Sequence, residues 1–272
     1  MRAPESFDLS GRSAIVTGAA GLLGREFART LAEAGAAVVA ADIRREAVEE
    51  VTGALADAGL AVRPAQVDVT SRSSVQSLVA DVEREAGRLD VLVNSAALDP
   101  KFDLGDAAKH TSSFEDFPLE AWNKGLTVNL TGMFLACQAV AGLMRRQGSG
   151  SVINICSTYG LVGPDQRIYQ RAGEPPRYKP VVYSVSKAGV LGLTRYLAAY
   201  FAGTNIRVNA LTPGGVFNDH DDEFVRSYSS RTVLGRMARK DEMNGALLFL
   251  ASDASSYMTG SNLVVDGGWT VW

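Results

Sequence analysis

The chain has 272 residues, with 27 lysines and arginines against 30 aspartates and glutamates, a formal charge of −3 and no polybasic run. That balance argues against nucleic acid or an anionic membrane as a partner. Cys137 and Cys156 stand in apolar runs, and His110 and His220 lie far apart without ligand spacing, so neither a metal site nor a redox pair is expected. The N-terminal MRAPESFDLSGRS lacks a signal peptide's apolar stretch, and no window approaches the roughly 20 apolar residues of a membrane span. Cytoplasm is the expected compartment.

In chain order, short β-branched runs alternate with amphipathic helical patterns: SAIVTGA, AAVVAAD, VRPAQVDV, LDVLVNSA, GSVINICS, IRVNALTPG and NLVVDGG read as strands. Continuous apolar strands separated by helices predict an α/β fold. The expected form is a doubly wound, mostly parallel, Rossmann-like sheet of about seven strands with helices on both faces. No repeat or linker divides the chain, so residues 1–272 read as one dinucleotide-binding domain. Three long segments, 98–117, 159–182 and 215–240, follow strand ends where open α/β sheets bind ligands.

The first strand runs into TGAAGLLGREFARTLAEAG. Gly18 permits a tight turn, Gly21 lets backbone approach a phosphate, and Gly24 lets helix and strand pack closely, while the helix N-terminus, with Leu23 on its first turn, attracts negative charge. Asp42 ends the second strand eighteen positions after Gly24. A carboxylate there takes both ribose hydroxyls of an adenosine and repels a 2′-phosphate, which favours NAD over NADP. Arg44 and Arg45 follow closely and soften that preference.

RYKPVVYSVSKAGV, residues 177–190, carries the second signal. Of the eight tyrosines, only Tyr183 has a lysine four positions later, on the same helix face. A phenol titrates near 10 on its own and an adjacent ammonium favours the phenolate. Such a pair taken alone is usually a solvated helix face, and its meaning rests on the company it keeps.

Taken together, these motifs resemble the single-domain short-chain dehydrogenase/reductases over essentially the whole chain. Thr17, Gly18 and Gly24 match that family's glycine pattern, with Leu22 where the middle glycine is expected. DVT at Asp68–Val69–Thr70 resembles its adenine contact. NSAA from Asn94 through Ala96 and Ala97 is similar to its Asn-Asn-Ala-Gly signature, and PGG from Pro213 and the terminal VDGGW match its late motifs. The resemblance implies that Pro213, Gly214 and Val216 close over a nicotinamide. It further implies that Tyr183 is the general acid/base, Lys187 lowers its pKa and binds the nicotinamide ribose, Ser157 holds the substrate oxygen, and Asn129 holds a water that passes protons to Lys187.

Ser157 and Tyr183 are 26 positions apart, about twice the separation usual in that family. The extra segment, GLVGPDQRIYQRAGEPPRYKPVV, carries Arg167, Arg171, Arg177 and Lys179 against Asp165 and Glu174. Its ends are pinned beside the catalytic residues, so Tyr159, Gln166 and Arg167 are the candidate substrate contacts. The alternative is that these charges solvate a protruding loop or meet a neighbouring subunit. TGAAGLLG, DQRIY and SSRTVLGRM are similar to family members of sugar and surface-glycan precursor metabolism. The expected activity is NAD(H)-dependent interconversion of a secondary alcohol and a ketone, or of a lactol and a lactone, on a polar or anionic polyol or sugar derivative. An NADPH-dependent 3-oxoacyl-type ketoreductase and a non-enzymatic dinucleotide sensor are the alternatives. The resemblance also implies a homodimer or homotetramer, with the helices beginning near Leu119 and Tyr183 pairing across an axis and NLVVDGGWTVW completing a tetramer.

Overall fold

The computed structural model describes residues 5–99 and 113–272. The middle of the expected 98–117 loop, with His110, lies outside the described residues.

Strand β1 (Ser13–Thr17) is buried at every position. Its side chains alternate between two cores, Ala14 and Val16 entering one and Ile15 the other. On the first side lie Phe27 and Leu31 of α1 (Leu22–Glu33) and Leu247 and Leu250 of a late helix. On the second lie Leu78 and Val82 of one helix, Met133 and Val140 of another and Val190 of a third. Helices therefore cover both faces, which is why the central strands read as unbroken apolar runs. Truncating a wholly buried side chain such as Leu31 would cost about 2 to 5 kcal/mol.

All seven strands are parallel, in the order β3-β2-β1-β4-β5-β6-β7. The chain builds outward through β2 (Ala37–Asp42), α2 (Arg45–Asp57) and β3 (Val62–Gln66), then returns along α3 (Arg72–Ala86) to β4 (Val91–Asn94) on the other side of β1. Thr17 and Asn94 are register partners at the ends of β1 and β4, so the crevice of this reversal opens directly above them. Pro64 is tolerated because β3 is an edge strand.

After β4 the chain forms α4 (Leu119–Leu126), a single π turn over Thr127–Thr131, and α5 (Gly132–Gln147). Among the described residues this one 29-residue helical run, mean hydropathy 1.5, is long and apolar enough to cross a membrane. That amends the expectation that no window comes near a span. Met133, Ala136, Val140 and Met144 on it are core residues packed against the sheet. β5 (Ser149–Ile155) then ends just before Ser157, and α6 (Val181–Tyr200) returns Tyr183 and Lys187 to that strand end. β6 (Asn205–Pro213), α7 (Asp222–Ser229), α8 (Asn244–Ala251) and β7 (Asn262–Val265) complete the fold.

Candidate active site

The glycine turn is closed by backbone contacts. Gly18 has φ +68°, and a Cβ there would lie 2.7 Å from Ala96 Cα, while one on Gly24 would lie 2.1 Å from the Gly18 carbonyl oxygen. Thr17 Oγ1 accepts from the amides of Ser95 (3.2 Å) and Ala96 (3.3 Å), tying the first turn to the end of β4. Leu22, where the family pattern has glycine, begins α1. Gly21 is the N-cap and supplies no side-chain cap, which leaves the first-turn amides for an external anion. Asp42, 7% exposed, accepts from Ala20 N (3.0 Å) through Oδ2 and from Arg44 N (3.1 Å) through Oδ1. The Arg44 guanidinium reaches within 3.5 Å of the same Oδ1. Asp68 spends Oδ1 on Thr70 N (2.9 Å) and Thr70 Oγ1 (2.7 Å), leaving Val69 buried over the crevice side of Gly132. This cradle, too tight for a Cβ at Gly18 or Gly24 and lined with amide donors, fits a dinucleotide.

Asn94 departs from the crevice. Its side chain turns inward and donates to Asn154 Oδ1 (2.9 Å), which in turn reaches Thr194, so its visible work is to link β4, β5 and α6. Beyond β6, Gly214 donates to Val265 O (2.9 Å), and Val216 pairs with Ala238, closing the 215–240 segment at its base. That segment contains α7. His220 stacks on Phe224 at 4.8 Å and accepts from Asn218 N (3.1 Å).

The structure brings Ser157, Tyr183 and Lys187 together. Ser157, 9% exposed, leaves β5 in extended conformation and accepts from Tyr159 N (3.2 Å). Its hydroxyl lies close enough to the Tyr183 phenol to draw that group's pKa down. Lys187, 4% exposed, donates to Ile155 O at 2.8 Å, and its Nζ lies 5.8 Å from the Tyr183 ring centre. Burial lowers that ammonium to about 8. The Tyr183 phenol moves upward: burial is the largest cause, the Asp99 charge adds to it, and the Ser157 hydroxyl opposes both. The lowering expected from Lys187 is thus outweighed in the protein alone, because both groups are taken from water together.

Asn129 sits in the π turn rather than on a plain helix face, an irregularity that often marks functional positions. It is 1% exposed. Nδ2 donates to Leu98 O (3.0 Å) and Ser186 Oγ (3.2 Å), and Oδ1 accepts from Leu98 N (2.7 Å). It therefore clamps the chain after β4 to the residue beside Lys187.

The long segment before α6 is ordered by its own partners, and the charge it carries is largely spent. Arg167, 83% exposed at its side chain, makes two 2.8 Å bonds to Asp165 and points to solvent. Its guanidinium is thus turned to Asp165 and solvent, not to Tyr183 as the expected substrate contact would be. Arg171 binds Asp221 of the turn before α7 at 2.9 and 3.0 Å, Arg177 pairs with Glu174, and Arg231 pairs with Asp165. Tyr159 is also inside: its hydroxyl meets Tyr169's at 2.8 Å, its ring stands edge-on to Trp269, and burial pushes its phenol up to about 12. Gln166 accepts from Lys179 N (2.8 Å) and donates to Lys179 O (3.5 Å), so it holds the loop rather than facing a ligand.

Sequence reasoning missed two features. Gly160 lets the segment after Ser157 press on α6; a Cβ there would lie 2.7 Å from the Lys187 carbonyl. Lys179 places its Nζ 4.3 Å from the Tyr183 ring centre and pairs with Asp99. It stands four residues before Tyr183 but ahead of the helix, whose N-cap is Pro180, so helical spacing does not pair the two. Among the described residues no cluster of His, Cys, Asp and Glu is arranged for a metal.

Comparison with known proteins places this arrangement in a class. The family profile described as enoyl-(acyl carrier protein) reductase matches residues 18–270. The chain belongs to the short-chain dehydrogenase/reductase family of oxidoreductases. It is similar to the D-threitol dehydrogenase of Mycolicibacterium smegmatis, 34% identical over 97% of this chain and 95% of that one. It is also similar to the 3-oxoacyl-[acyl-carrier-protein] reductase of Thermotoga maritima, 35% identical over 96% of this chain and 98% of that one. Among solved structures, a gluconate 5-dehydrogenase from Burkholderia cenocepacia J2315 in complex with NADP and tartrate is 33% identical, with TM-score 0.85 and all of both chains covered.

Proposed function

We propose that the protein is a dehydrogenase that interconverts a secondary alcohol and a ketone on a polyol or sugar-derived substrate, with NAD its preferred nicotinamide cofactor, in the cytoplasm. The observation that carries the reading is the meeting of Ser157, Tyr183 and Lys187 where β5 ends, Lys187 one helical turn beyond Tyr183, with the dinucleotide cradle beside them. When bound, a nicotinamide would supply the hydride acceptor or donor for the carbinol carbon. The chain supplies the rest. Ser157 holds the substrate oxygen, and Tyr183 moves the proton at that oxygen as general base in oxidation and general acid in reduction. Lys187, anchored on Ile155 O by one N–H, keeps others for the cofactor ribose and for the phenol. Asn129 fixes Leu98 and keeps an Oδ1 lone pair for a water beside Lys187.

Asp42 at the end of β2 supports NAD, since a buried carboxylate repels a 2′-phosphate. The threitol and gluconate relatives support the polyol class. Exposed apolar side chains on α4, α5 and α6, namely Leu119, Phe134, Val185, Tyr196 and Tyr200, support pairing of two copies through these helices. Exposed Val264, Val271 and Trp272 support a tetramer completed through the C-terminal segment. Steady-state rates with NAD and NADP across alditols, aldonates and a 3-oxoacyl thioester test the reading, with light scattering for assembly. Turnover of alditols or aldonates with higher kcat/KM for NAD is expected. Turnover of the thioester alone, with NADPH, would establish the ketoreductase, and cofactor binding without any turnover a sensor.

A further inference from the structure

Of the four basic side chains on the segment before α6, three are tied to carboxylates on the segment itself or at α7: Arg167 to Asp165, Arg171 to Asp221 and Glu223, Arg177 to Glu174. Lys179 differs. Its side chain is 11% exposed, its ammonium lies 4.3 Å from the centre of the Tyr183 ring, and its backbone is held from both sides by Gln166. Its partner, Asp99, is 56% exposed, stands on the chain leaving β4, and offers one oxygen. The other ammonium in the site, Lys187, is directed to the Ile155 carbonyl. Among the described residues, the active site therefore presents a sheltered cation beside the catalytic phenol, covered by a carboxylate at its exposed rim.

We propose that Lys179 is the substrate-anion site of this enzyme, that it selects a polyhydroxy carboxylate, and that Asp99 occupies the place the substrate carboxylate takes. The inference rests on the alcohol-dehydrogenase reading above and narrows its substrate class to hydroxy acids. A carboxylate arriving over Tyr183 exchanges one ion pair for another, so the ammonium is never left buried without a partner, and Asp99 is released to water. Gln166 holds the Lys179 backbone in place during the exchange. The charge of Asp99, which opposes ionisation of the Tyr183 phenol, is then replaced by a charge the substrate itself brings.

The test compares gluconate with glucitol, which differ only in a carboxylate or a CH₂OH at C1, in wild type, Lys179→Met, Lys179→Arg and Asp99→Asn. Losing one partner of a charge-assisted hydrogen bond predicts a fall of about 10- to 100-fold in the gluconate-to-glucitol ratio of kcat/KM for Lys179→Met. Lys179→Arg recovers much of that ratio, and Asp99→Asn raises it by removing the competing carboxylate. Cofactor titration of each variant establishes that the cradle is intact. An unchanged ratio in Lys179→Met, or equal loss on both substrates with normal cofactor binding, overturns the proposal and leaves Lys179 as a loop anchor. A wild type that oxidises neither probe with NAD or NADP removes the polyol reading, and the anion site is then decided by calorimetric titration of tartrate into the enzyme–cofactor complex. Tartrate binding by wild type and about 10-fold or weaker binding by Lys179→Met supports the site. Equal affinity, or no binding to wild type, overturns it.

Discussion

The two walls of the crevice are held by different kinds of bond. On the cofactor wall, side chains bond to backbone: Asp42 to the amides of Ala20 and Arg44, Thr17 to those of Ser95 and Ala96, Asp68 to that of Thr70. On the substrate wall, pairs of side chains from distant parts of the chain are added: Lys179 to Asp99, Arg231 to Asp165, Arg171 to Asp221. A backbone amide is present whatever residue carries it, so the first wall needs only one correct residue per bond. The second needs two, and exchanging either partner re-aims a charge without disturbing the sheet. One fold can thus keep its cofactor geometry while its substrate changes.

The sharpest way to separate the walls is Tyr183→Phe, which removes only the phenolic oxygen. Turnover is expected to fall about 10²- to 10⁴-fold, roughly 3 to 5 kcal/mol of barrier, with cofactor affinity within twofold of wild type. Steady-state rates and fluorescence titration of the reduced cofactor measure both. Comparable loss of cofactor binding would show that the walls are one unit.

Gly24→Ala attacks the other wall. The new methyl would lie 2.1 Å from the Gly18 carbonyl oxygen, which is backbone and cannot rotate away. Strain of this kind costs up to about 3 kcal/mol, with cofactor affinity falling alongside. Thermal melts with and without cofactor check it; a variant as stable as wild type that binds normally would mean the turn has slack.

Lys187 joins the walls, and pH reads its cost. Burial lowers its folded-state pKa to about 8, against about 10.4 in the unfolded chain. Below pH 8 both states hold the proton and the burial cost is fully present. Between 8 and 10.4 the unfolded chain binds the extra proton, so stability rises with pH. Relative to Lys187→Met, wild type should gain about 3 kcal/mol from pH 7.5 to 10.5 in urea melts. A flat difference would place the ammonium in contact with water.

Much of the first wall was legible in the sequence for the reason already given. The strands declared themselves by apolar runs, the turn by its glycines, and Tyr183 by its lysine at helical spacing. What stayed hidden needed a partner. Arg167 was chosen for its position in the segment, but Asp165, two residues earlier, turns it outward. In the sequence Lys179 is one positive charge among four on its segment, because its partner Asp99 lies 80 residues earlier. Nothing in TVNLT announces the π turn that lets the Asn129 amide reach both Leu98 and Ser186. Asn94 shows the converse: a residue found by motif, whose side chain works inward on Asn154.

The smallest predicted effect lies where the cofactor wall borrows a bond of the other kind. Arg44 is 62% exposed, yet its Nε lies 3.5 Å from Asp42 Oδ1. It neutralises part of the carboxylate that should repel a 2′-phosphate, and its guanidinium is a ready fork for that phosphate. Exposed ion pairs contribute only about 0.2 to 1 kcal/mol. Arg44→Ala should therefore lower kcat/KM for NADP by about two- to fivefold and shift the NAD-to-NADP ratio toward NAD by the same factor. The amide bonds from Ala20 and Arg44 to Asp42 survive the substitution, because neither uses the arginine side chain. Saturation curves with both cofactors at fixed substrate decide it: an unchanged ratio would show that Asp42 alone sets the preference, and a shift toward NADP would show that Arg44 serves to hold Asp42 in place.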